Sequence, residues 1–274
     1  MSHARFHSGI AILLGVLAAS AVLVWLGIPV VSSEGMIIRA HFMDGDIPTT
    51  PEDPAWETIP PMTVPLSGQV FTRPVWPDPT AREVLVRAVH NGKLIAFRLQ
   101  WNDNTKNDKL TPGVFRDGMA VGLPLGDAPA FFCMGQLDHY INIWHWKADW
   151  QSDIYRRAAR AKEAKKKKGR VRRFEVIPRR VSSVEDLIGG GFSTLTTKRK
   201  QGAVQGEGYW KDGFWHVVMR RPLANKDPQN EARLEPGRLQ AIAFAIWNGE
   251  NKERNGQKAV APWFQLLIDP VSKL

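Results

Sequence analysis

Two neighbouring segments of the chain alternate apolar and polar side chains, and this pattern constrains the fold more than any other feature. Residues 83–90 read EVLVRAVH and residues 93–101 read KLIAFRLQW, with Asn91-Gly92 between them. Alternation with a period of two is typical of a strand that buries one face, and Asn-Gly is the dipeptide that two-residue hairpin turns prefer. The two segments therefore predict an antiparallel β-hairpin.

The same alternation recurs along the rest of the chain, which indicates a fold built mainly from strands. Further runs cover residues 36–42, 119–123, 140–146, 203–210, 214–220, 239–247 and 263–268, and Lys211-Asp212-Gly213 turns another hairpin. Long helical patterns do not separate these runs, so we expect an all-β fold, an antiparallel β-sandwich. A chain of 274 residues with 43% hydrophobic side chains can bury one sizeable core, and the prediction is one domain with appendages.

The first appendage is an apolar run near the N-terminus. Residues 10–31 contain no charged side chain, and a helix of this length reaches about 30 Å, enough to cross a bilayer. The run predicts a membrane anchor over residues 1–33, with a cleaved signal peptide as the alternative. In both cases residues 34–274 are expected on the periplasmic side of the cell membrane, because the basic N-terminal flank stays in the cytoplasm.

The second appendage is a basic insertion at residues 151–202. Within it, residues 156–200 carry 16 Lys or Arg against four acids, a net charge of +12, whereas the whole chain carries +10. The basicity therefore belongs to the insertion, and the remainder of the chain is slightly acidic. The first part of the insertion predicts a polar helix. The insertion is expected to be either a solvated loop or a docking surface for an acidic partner, and nucleic acid is a poor partner for an exported protein.

The densest cluster of reactive and aromatic side chains lies in residues 128–150. A strand over residues 140–146 would place the isoleucines and histidines on one face and the aromatic residues on the other, namely His139, Ile141, Ile143 and His145 against Tyr140, Asn142, Trp144 and Trp146. A strand this aromatic favours a wide, flat apolar partner, either a second sheet or a porphyrin. The single cysteine, Cys133, excludes an internal disulfide and a CxxCH haem attachment, so any metal would depend on His, Met, Lys or carboxylate ligands.

An ordered series of motifs gives the chain a resemblance to a known family. The series spans residues 53–268 and runs DPAWETIP, VPLSGQV, VLVRAVHNGKLIAFRLQWND, DGMAVGLP, CMG, INIWHWKADW, DGFWHVVMRRPL and AIAFAIWNGENKERNGQKAVAPWFQL. It resembles the haem b-binding gamma subunits of ethylbenzene dehydrogenase. Similar subunits serve selenate reductase, chlorate reductase, dimethylsulfide dehydrogenase and some nitrate- or nitrite-converting enzymes of the dimethyl sulfoxide reductase family. The N-terminal apolar run and the basic insertion depart from the family pattern.

The resemblance implies a β-sandwich that holds one non-covalent haem b between a methionine and a lysine. Matched motif by motif, these metal ligands are Met134, which precedes a glycine, and Lys258, which ends the sequence NGQK. Without the resemblance, Met134 would be an ordinary core methionine and Lys258 a solvated turn lysine.

Four further side chains are candidates for the surroundings of this cofactor. Trp144 and Trp146 are expected to bind the haem as pocket walls, or else to fill the sandwich core. His139 and His145 are the rival ligands, because imidazole is the commoner haem partner. Both histidines share a predicted strand face with isoleucines, which also suits a hydrogen-bonded supporting role.

With both axial positions filled by side chains, the haem would carry electrons without meeting a substrate. The expected function is a non-catalytic electron-transfer subunit. It would relay electrons between the iron–sulfur (beta) subunit of a complex that also contains a molybdenum (alpha) subunit and a cytochrome or quinone. The chain has no GxGxxG, P-loop, HExxH or GxSxG motif in a suitable context, which argues against an independent enzyme. The alternative is an exported β-sandwich module without haem that binds carbohydrate or another small ligand on its tryptophans.

Overall fold

The computed structural model describes residues 37–130, 133–166 and 180–271, and most of its elements are strands. The strands are β1 (Ile37–Phe42), β2 (Met62–Pro65), β3 (Ser67–Gly68), β4 (Glu83–His90), β5 (Leu94–Asn102), β6 (Gly118–Pro124), β7 (Ile141–Lys147), β8 (Val184–Gly189), β9 (Thr196–Thr197), β10 (Gln205–Lys211), β11 (Phe214–Pro222), β12 (Leu239–Trp247), β13 (Ala259–Val260) and β14 (Phe264–Ile268). Within the described ranges there is one α-helix, α1 (Ala148–Lys166), and one 3₁₀ helix, Pro54–Thr58.

The strands form two sheets that share β12. The first sheet runs β10-β11-β5-β4-β1-β14-β12, with β2 also paired to β4. The second sheet runs β12-β6-β7-β8-β9, and β13 and β3 extend it beyond β12. β12 pairs with β14 through residues 239–242 and with β6 through residues 243–247, so it passes from one sheet to the other. β1 pairs with β4 in parallel, whereas the pairs within both predicted hairpins are antiparallel.

Both predicted hairpins are confirmed. β4 and β5 pair across Asn91-Gly92, where Gly92 has a φ of +78° and the Asn91 side chain accepts hydrogen bonds from two following backbone N–H groups. β10 and β11 pair across Asp212-Gly213, and both of these residues have positive φ. Glycine, asparagine and aspartate tolerate this left-handed backbone best, which explains why these residues occupy the turns.

The main core lies between the two sheets and is rich in aromatic side chains. Trp101 and Trp215 of the first sheet pack against Trp146 of the second, with ring centroids 6.2 Å and 4.9 Å apart. Phe97 meets Trp144 in the same way at 6.0 Å. Edge-to-face contacts of this kind contribute about 0.5–1.5 kcal/mol each beyond the burial of apolar area. These contacts hold the two sheets face to face, as predicted for an all-β sandwich.

The predicted insertion is only partly separate from the sandwich. Its beginning is helical, as expected: α1 follows β7 directly, and the buried Gln151 accepts hydrogen bonds from Trp146 Nε1 at 3.2 Å and from the Gly208 N–H at 3.1 Å. Its later part contributes β8 and β9, and β8 pairs with β7 along its length. The sequence interpretation missed β8 because the run VEDLIG places two adjacent acids in the middle of the strand and so hides the alternation.

Two predicted features lie outside the described residues. They are the apolar run at residues 10–31, with the anchor predicted at residues 1–33, and the part of the basic insertion at residues 167–179. In the part of the chain that the structure describes, no helix is both long and apolar enough to cross a membrane.

Candidate functional site

Met134 and Lys258 lie side by side, although they are 124 positions apart in the sequence. The Lys258 Nζ donates a hydrogen bond to the Met134 Sδ over 3.1 Å. Met134 belongs to the connection between β6 and β7, and Lys258 ends the connection between β12 and β13. The fold therefore brings together the two residues that the resemblance names as a ligand pair. Residues 248–258, between β12 and β13, are called the Lys258 loop below.

The Lys258 side chain is buried without an acidic partner. It is 5% exposed, and its Nζ lies 5.1 Å from the centroid of the Trp247 ring. Burial lowers the pKa of Lys258 to about 8, because an ammonium group taken out of water loses its hydration. Among the described residues no carboxylate influences this amine. An amine in this setting loses its proton more easily than a surface lysine does, and only a free amine can bind a metal.

The turn that carries Met134 is fixed against β8 through glycines. The Met134 carbonyl accepts a hydrogen bond from the Gly191 N–H at 3.1 Å. Gly135 has a φ of +78°, and a Cβ at this position would lie 2.5 Å from the Gly189 carbonyl oxygen. A larger residue at position 135 would push the turn away from β8 and move Met134 with it. A glycine directly after Met134 is thus required by the close approach of two backbones.

The outer face of the second sheet forms a floor of small side chains beside this pair. β6 places Gly118, Ala120 and Gly122 on that face, and β12 sets Ala245 opposite Ala120. Larger side chains pack around the floor, namely Met134, Trp247 and Trp263. A small-residue floor with indole walls suits a planar apolar ligand such as a porphyrin.

The two histidines that were considered as rival ligands differ in their positions. His145 lies on the same face of β7 as Ile143, and its ring stacks on Trp247 with centroids 4.6 Å apart. Burial, together with the charges of Lys147 and Arg116, holds the pKa of His145 well below its usual range. Its imidazole is therefore neutral and packs behind an indole wall. His139 is exposed in the turn before β7.

Trp144 and Trp146 lie in the sandwich core, which is the second of the two positions expected for them. Both are fully buried in the main core, on the opposite face of β7 from Ile143. Trp144 Nε1 donates to Asn142 Oδ1 at 2.9 Å, inside the sandwich. The walls near Met134 and Lys258 are Trp247 and Trp263 instead. Sequence reasoning missed this pair, although both lie in the last motif of the family resemblance.

Cys133 sits next to Met134 and behaves as a small, protonated side chain. Its Sγ donates to the Ala261 carbonyl oxygen at 3.5 Å, and burial raises the pKa of the thiol to about 11. A thiol with a raised pKa is a poor nucleophile and a poor metal ligand. Cys133 is therefore a packing residue beside Met134.

Three buried carboxylates support the Lys258 loop, and sequence reasoning did not single them out. Asp103, Asp117 and Glu253 are each at most 1% exposed. Asp117 accepts a hydrogen bond from the Gly249 N–H at 2.8 Å, and the Asn248 side chain donates to Asp103 at 3.0 Å. No lysine or arginine of the described ranges neutralises Asp103 or Asp117. The motifs WND, DGM and NKE, which contain these acids, were the only available signal.

Asp103→Asn is expected to flatten the pH dependence of stability. Burial, with the charge of Glu253 as a further cause, raises the pKa of Asp103 to about 6 from a usual value of 3.8. The folded state therefore keeps a proton that the unfolded chain releases, so the free energy of unfolding falls as pH rises from about 4 to about 6. The Asp103 Oδ2 atom has no hydrogen-bond partner, so an amide nitrogen can replace it.

Urea unfolding at about pH 4 and about pH 7 measures this effect. We expect the loss of stability across the window to be smaller in the variant by on the order of 2–3 kcal/mol. Equal losses in the two proteins would show that the pKa of Asp103 is not raised in the folded state.

Comparison with known proteins places the chain in a family. The family model described as ethylbenzene dehydrogenase matches residues 53–259. A protein of Haloferax mediterranei, named provisionally as a respiratory nitrate reductase heme subunit, is 28% identical over 82% of this chain and 70% of its own length. The chlorate reductase subunit gamma of Ideonella dechloratans is 30% identical over 84% of both chains. A carbohydrate-binding module of family 9 from Caldicellulosiruptor kristjanssonii, solved with glucose, aligns with 87% of this chain and 98% of its own at 8% identity and a TM-score of 0.45. The ordered motifs and the family match together show that this chain belongs to the ethylbenzene dehydrogenase family.

Proposed function

We propose that the chain is an electron-transfer subunit that binds one non-covalent haem b, with the Met134 sulfur and the Lys258 amine as axial ligands. The observation that carries the proposal is that the fold brings these two side chains together from distant loops, with their donor atoms 3.1 Å apart; the two atoms would move apart to admit the iron. A buried lysine normally has a carboxylate partner, because an unpaired buried charge is costly. The Met134 thioether is not a carboxylate and cannot neutralise the Lys258 ammonium group. Metal binding by both side chains would explain why this lysine is buried here.

The chemistry of the two donors suits haem iron. A thioether is neutral and soft, and as an axial ligand it favours the ferrous state and raises the reduction potential. The lysine must be unprotonated to bind, and its burial already lowers its pKa to about 8. The small-residue floor and the indole walls next to the two side chains would hold the flat macrocycle by apolar contact.

The assignment restricts what the subunit can do. When bound, haem b supplies a one-electron carrier, and with two side chains as axial ligands it has no open position for a substrate. This chain's own residues then hold the carrier and keep water from it. The subunit is therefore non-catalytic, and the bond chemistry of its complex takes place elsewhere.

The proposed partners follow from the names of the relatives. One relative is named a heme subunit of a nitrate reductase and another the gamma subunit of a chlorate reductase. By analogy, this chain would relay electrons between the iron–sulfur subunit of a molybdenum oxidoreductase and a cytochrome or quinone. The periplasmic location and the N-terminal anchor at residues 1–33 belong to the same proposal.

The basic insertion is proposed to contribute to docking on an acidic partner. In its described part, Arg156 and Arg160 of α1 are exposed. The Lys147 amine and the Arg180 guanidinium both contact the Trp150 ring, at 4.4 Å and 4.6 Å from its centroid. A docking role of this kind would depend on ionic strength, because salt screens exposed charges over about 8–10 Å.

The structure gives no reason to prefer the carbohydrate-binding alternative. That alternative needed exposed indole rings as a stacking platform, but Trp144 and Trp146 are both 0% exposed. A small-ligand module on these residues would have to open the sandwich core.

An absorption spectrum tests the proposal directly. The purified protein, or the apoprotein supplied with haemin, should bind one haem b for each chain and show low-spin bands in the oxidised and dithionite-reduced states. A pyridine haemochrome assay on the same sample identifies the haem type and counts it. A protein that stays colourless after haemin is supplied would refute the proposed function.

A further inference from the structure

Of the three buried carboxylates that support the Lys258 loop, Glu253 is the one that belongs to the loop itself. Its Oε2 accepts a hydrogen bond from the Asn248 N–H at 2.9 Å, at the start of the loop. Its Oε1 accepts from Asn251 Nδ2 at 2.9 Å, inside the loop. Glu253 is 1% exposed, so these bonds form out of water, where a bond to a charged acceptor is strong.

The same carboxylate also connects the Lys258 loop to a second segment of the chain. Trp76 Nε1 donates to Glu253 Oε1 at 3.1 Å, and the Thr80 N–H donates to it at 3.2 Å. A parallel link joins the end of the loop to that segment, because Gln69 Nε2 donates to the Gly256 carbonyl oxygen at 3.1 Å. Hydrogen bonds at Glu253 and at Gly256 thus connect the second half of the Lys258 loop to residues 69–80.

The loop backbone needs such ties because it is locally unfavourable. Lys252 and Asn255 both have positive φ, at 59° and 52°. The left-handed backbone conformation raises the energy of a lysine, because its Cβ atom clashes with the backbone and a glycine has no such atom. Lys252 immediately precedes Glu253, so the contacts of the carboxylate offset the cost of the neighbouring backbone conformation.

We propose that Glu253 is the positioning residue that holds Lys258 against Met134. This inference rests on the proposed function in one respect, namely that Lys258 is a haem ligand which Glu253 keeps in place. The physical claim itself concerns the chain alone: without the Glu253 carboxylate, the loop opens and Lys258 reaches solvent.

Glu253→Gln is the sharpest test, because the substitution keeps size and shape but cannot keep the hydrogen bonds at both oxygen positions. Both carboxylate oxygens accept from N–H groups. Whichever way the glutamine amide is turned, its NH₂ group faces another donor. Loss of these bonds should raise the population of the open loop by about tenfold or more.

Acetylation of lysines by a water-soluble reagent, followed by peptide mass spectrometry, measures the opening in the apoprotein. Lys258 should be labelled slowly in the wild type and about tenfold faster in Glu253→Gln. Trp76→Phe removes one donor and keeps an aromatic ring, so it should give an intermediate rate and provides a milder variant if Glu253→Gln folds poorly.

Asp186→Asn is the matched control. Asp186 is also a carboxylate buried to 1% exposure, but it binds Lys198 at 2.9 Å and Asn142 at 2.6 Å, away from the Lys258 loop. It should lower stability and leave the labelling of Lys258 unchanged. Equal labelling in Glu253→Gln and the wild type, or equally fast labelling in both variants, would overturn the proposal.

A second readout connects the inference to the ligand role. With haemin bound, Glu253→Gln should show a fraction of five-coordinate, high-spin haem, and the carboxylate-retaining Glu253→Asp should recover part of the low-spin signal. If the wild type binds no haem, the proposed function fails, while the labelling result still decides whether Glu253 positions Lys258.

Discussion

Met134→Leu is expected to abolish the six-coordinate, low-spin spectrum of the haem-loaded protein. Leucine fills a similar volume, so the packing of this side chain against the apolar cluster of the second sheet should persist and stability should change by less than about 1.5 kcal/mol. The sulfur alone is lost, and with it one axial bond. Haem retention should fall by at least about tenfold, since even residues that only support a metal ligand contribute that much.

Histidine variants are the controls for this result. His139 is exposed and lies outside the pair, so His139→Ala should leave the spectrum unchanged. His145→Ala removes a ring that stacks on Trp247 at 4.6 Å, so it should loosen the pocket and keep the low-spin bands. A low-spin spectrum that survives Met134→Leu and disappears in His145→Ala would transfer the ligand role to the histidine.

The fold could be predicted from the sequence wherever strands bury one face and turn through residues that favour positive φ. The hairpin at Asn91-Gly92 is the clearest case, because alternation and turn chemistry agree there. Where charged residues hide the alternation, the prediction failed. β8 was missed because Glu185 and Asp186 are adjacent. Asp186 nevertheless points inward, because Lys198 and Asn142 satisfy its carboxylate inside the protein.

The candidate site was predictable only through the family resemblance. Nothing in the spacing of Met134 and Lys258 shows that two loops 124 positions apart meet. The choice between pocket wall and sandwich core for Trp144 and Trp146 stayed open for a related reason. Alternation correctly separated Trp144 from Ile143, but it could not say which face of β7 lies toward the first sheet. That depends on partners such as Phe97, which approach from a distant part of the sequence.

The support of the Lys258 loop was also invisible in the sequence. Glu253 stands among charged residues in the run NGENKERNGQK, which is typical of a solvated turn. Its burial follows from tertiary contacts with Trp76 and Thr80, and these contacts cannot be predicted from the local composition. A run of charged residues can therefore contain one that is buried and holds neighbouring segments in place by hydrogen bonds.

Lys258→Leu is expected to stabilise the apoprotein while it abolishes haem binding. The amine is buried and has only the Met134 sulfur as a hydrogen-bond partner among the described residues, and a thioether is a weak acceptor. Removing a poorly satisfied buried polar group should raise the free energy of unfolding by roughly 1–3 kcal/mol. For a domain of this size the midpoint of thermal unfolding should rise by about 2–4 °C for each kcal/mol.

Lys147→Leu provides a control with the opposite sign. Lys147 is also buried, at 7% exposure, and ends β7 of the second sheet, but its amine forms an ion pair with Glu185. Its removal leaves that carboxylate without its ion-pair partner, so stability should fall by a few kcal/mol. Thermal unfolding of the two apoprotein variants separates the cases. If both substitutions lower the midpoint, Lys258 is an ordinary structural lysine. If they move it in opposite directions, the fold keeps Lys258 buried at the expense of stability, which is the behaviour of a residue retained to bind a ligand.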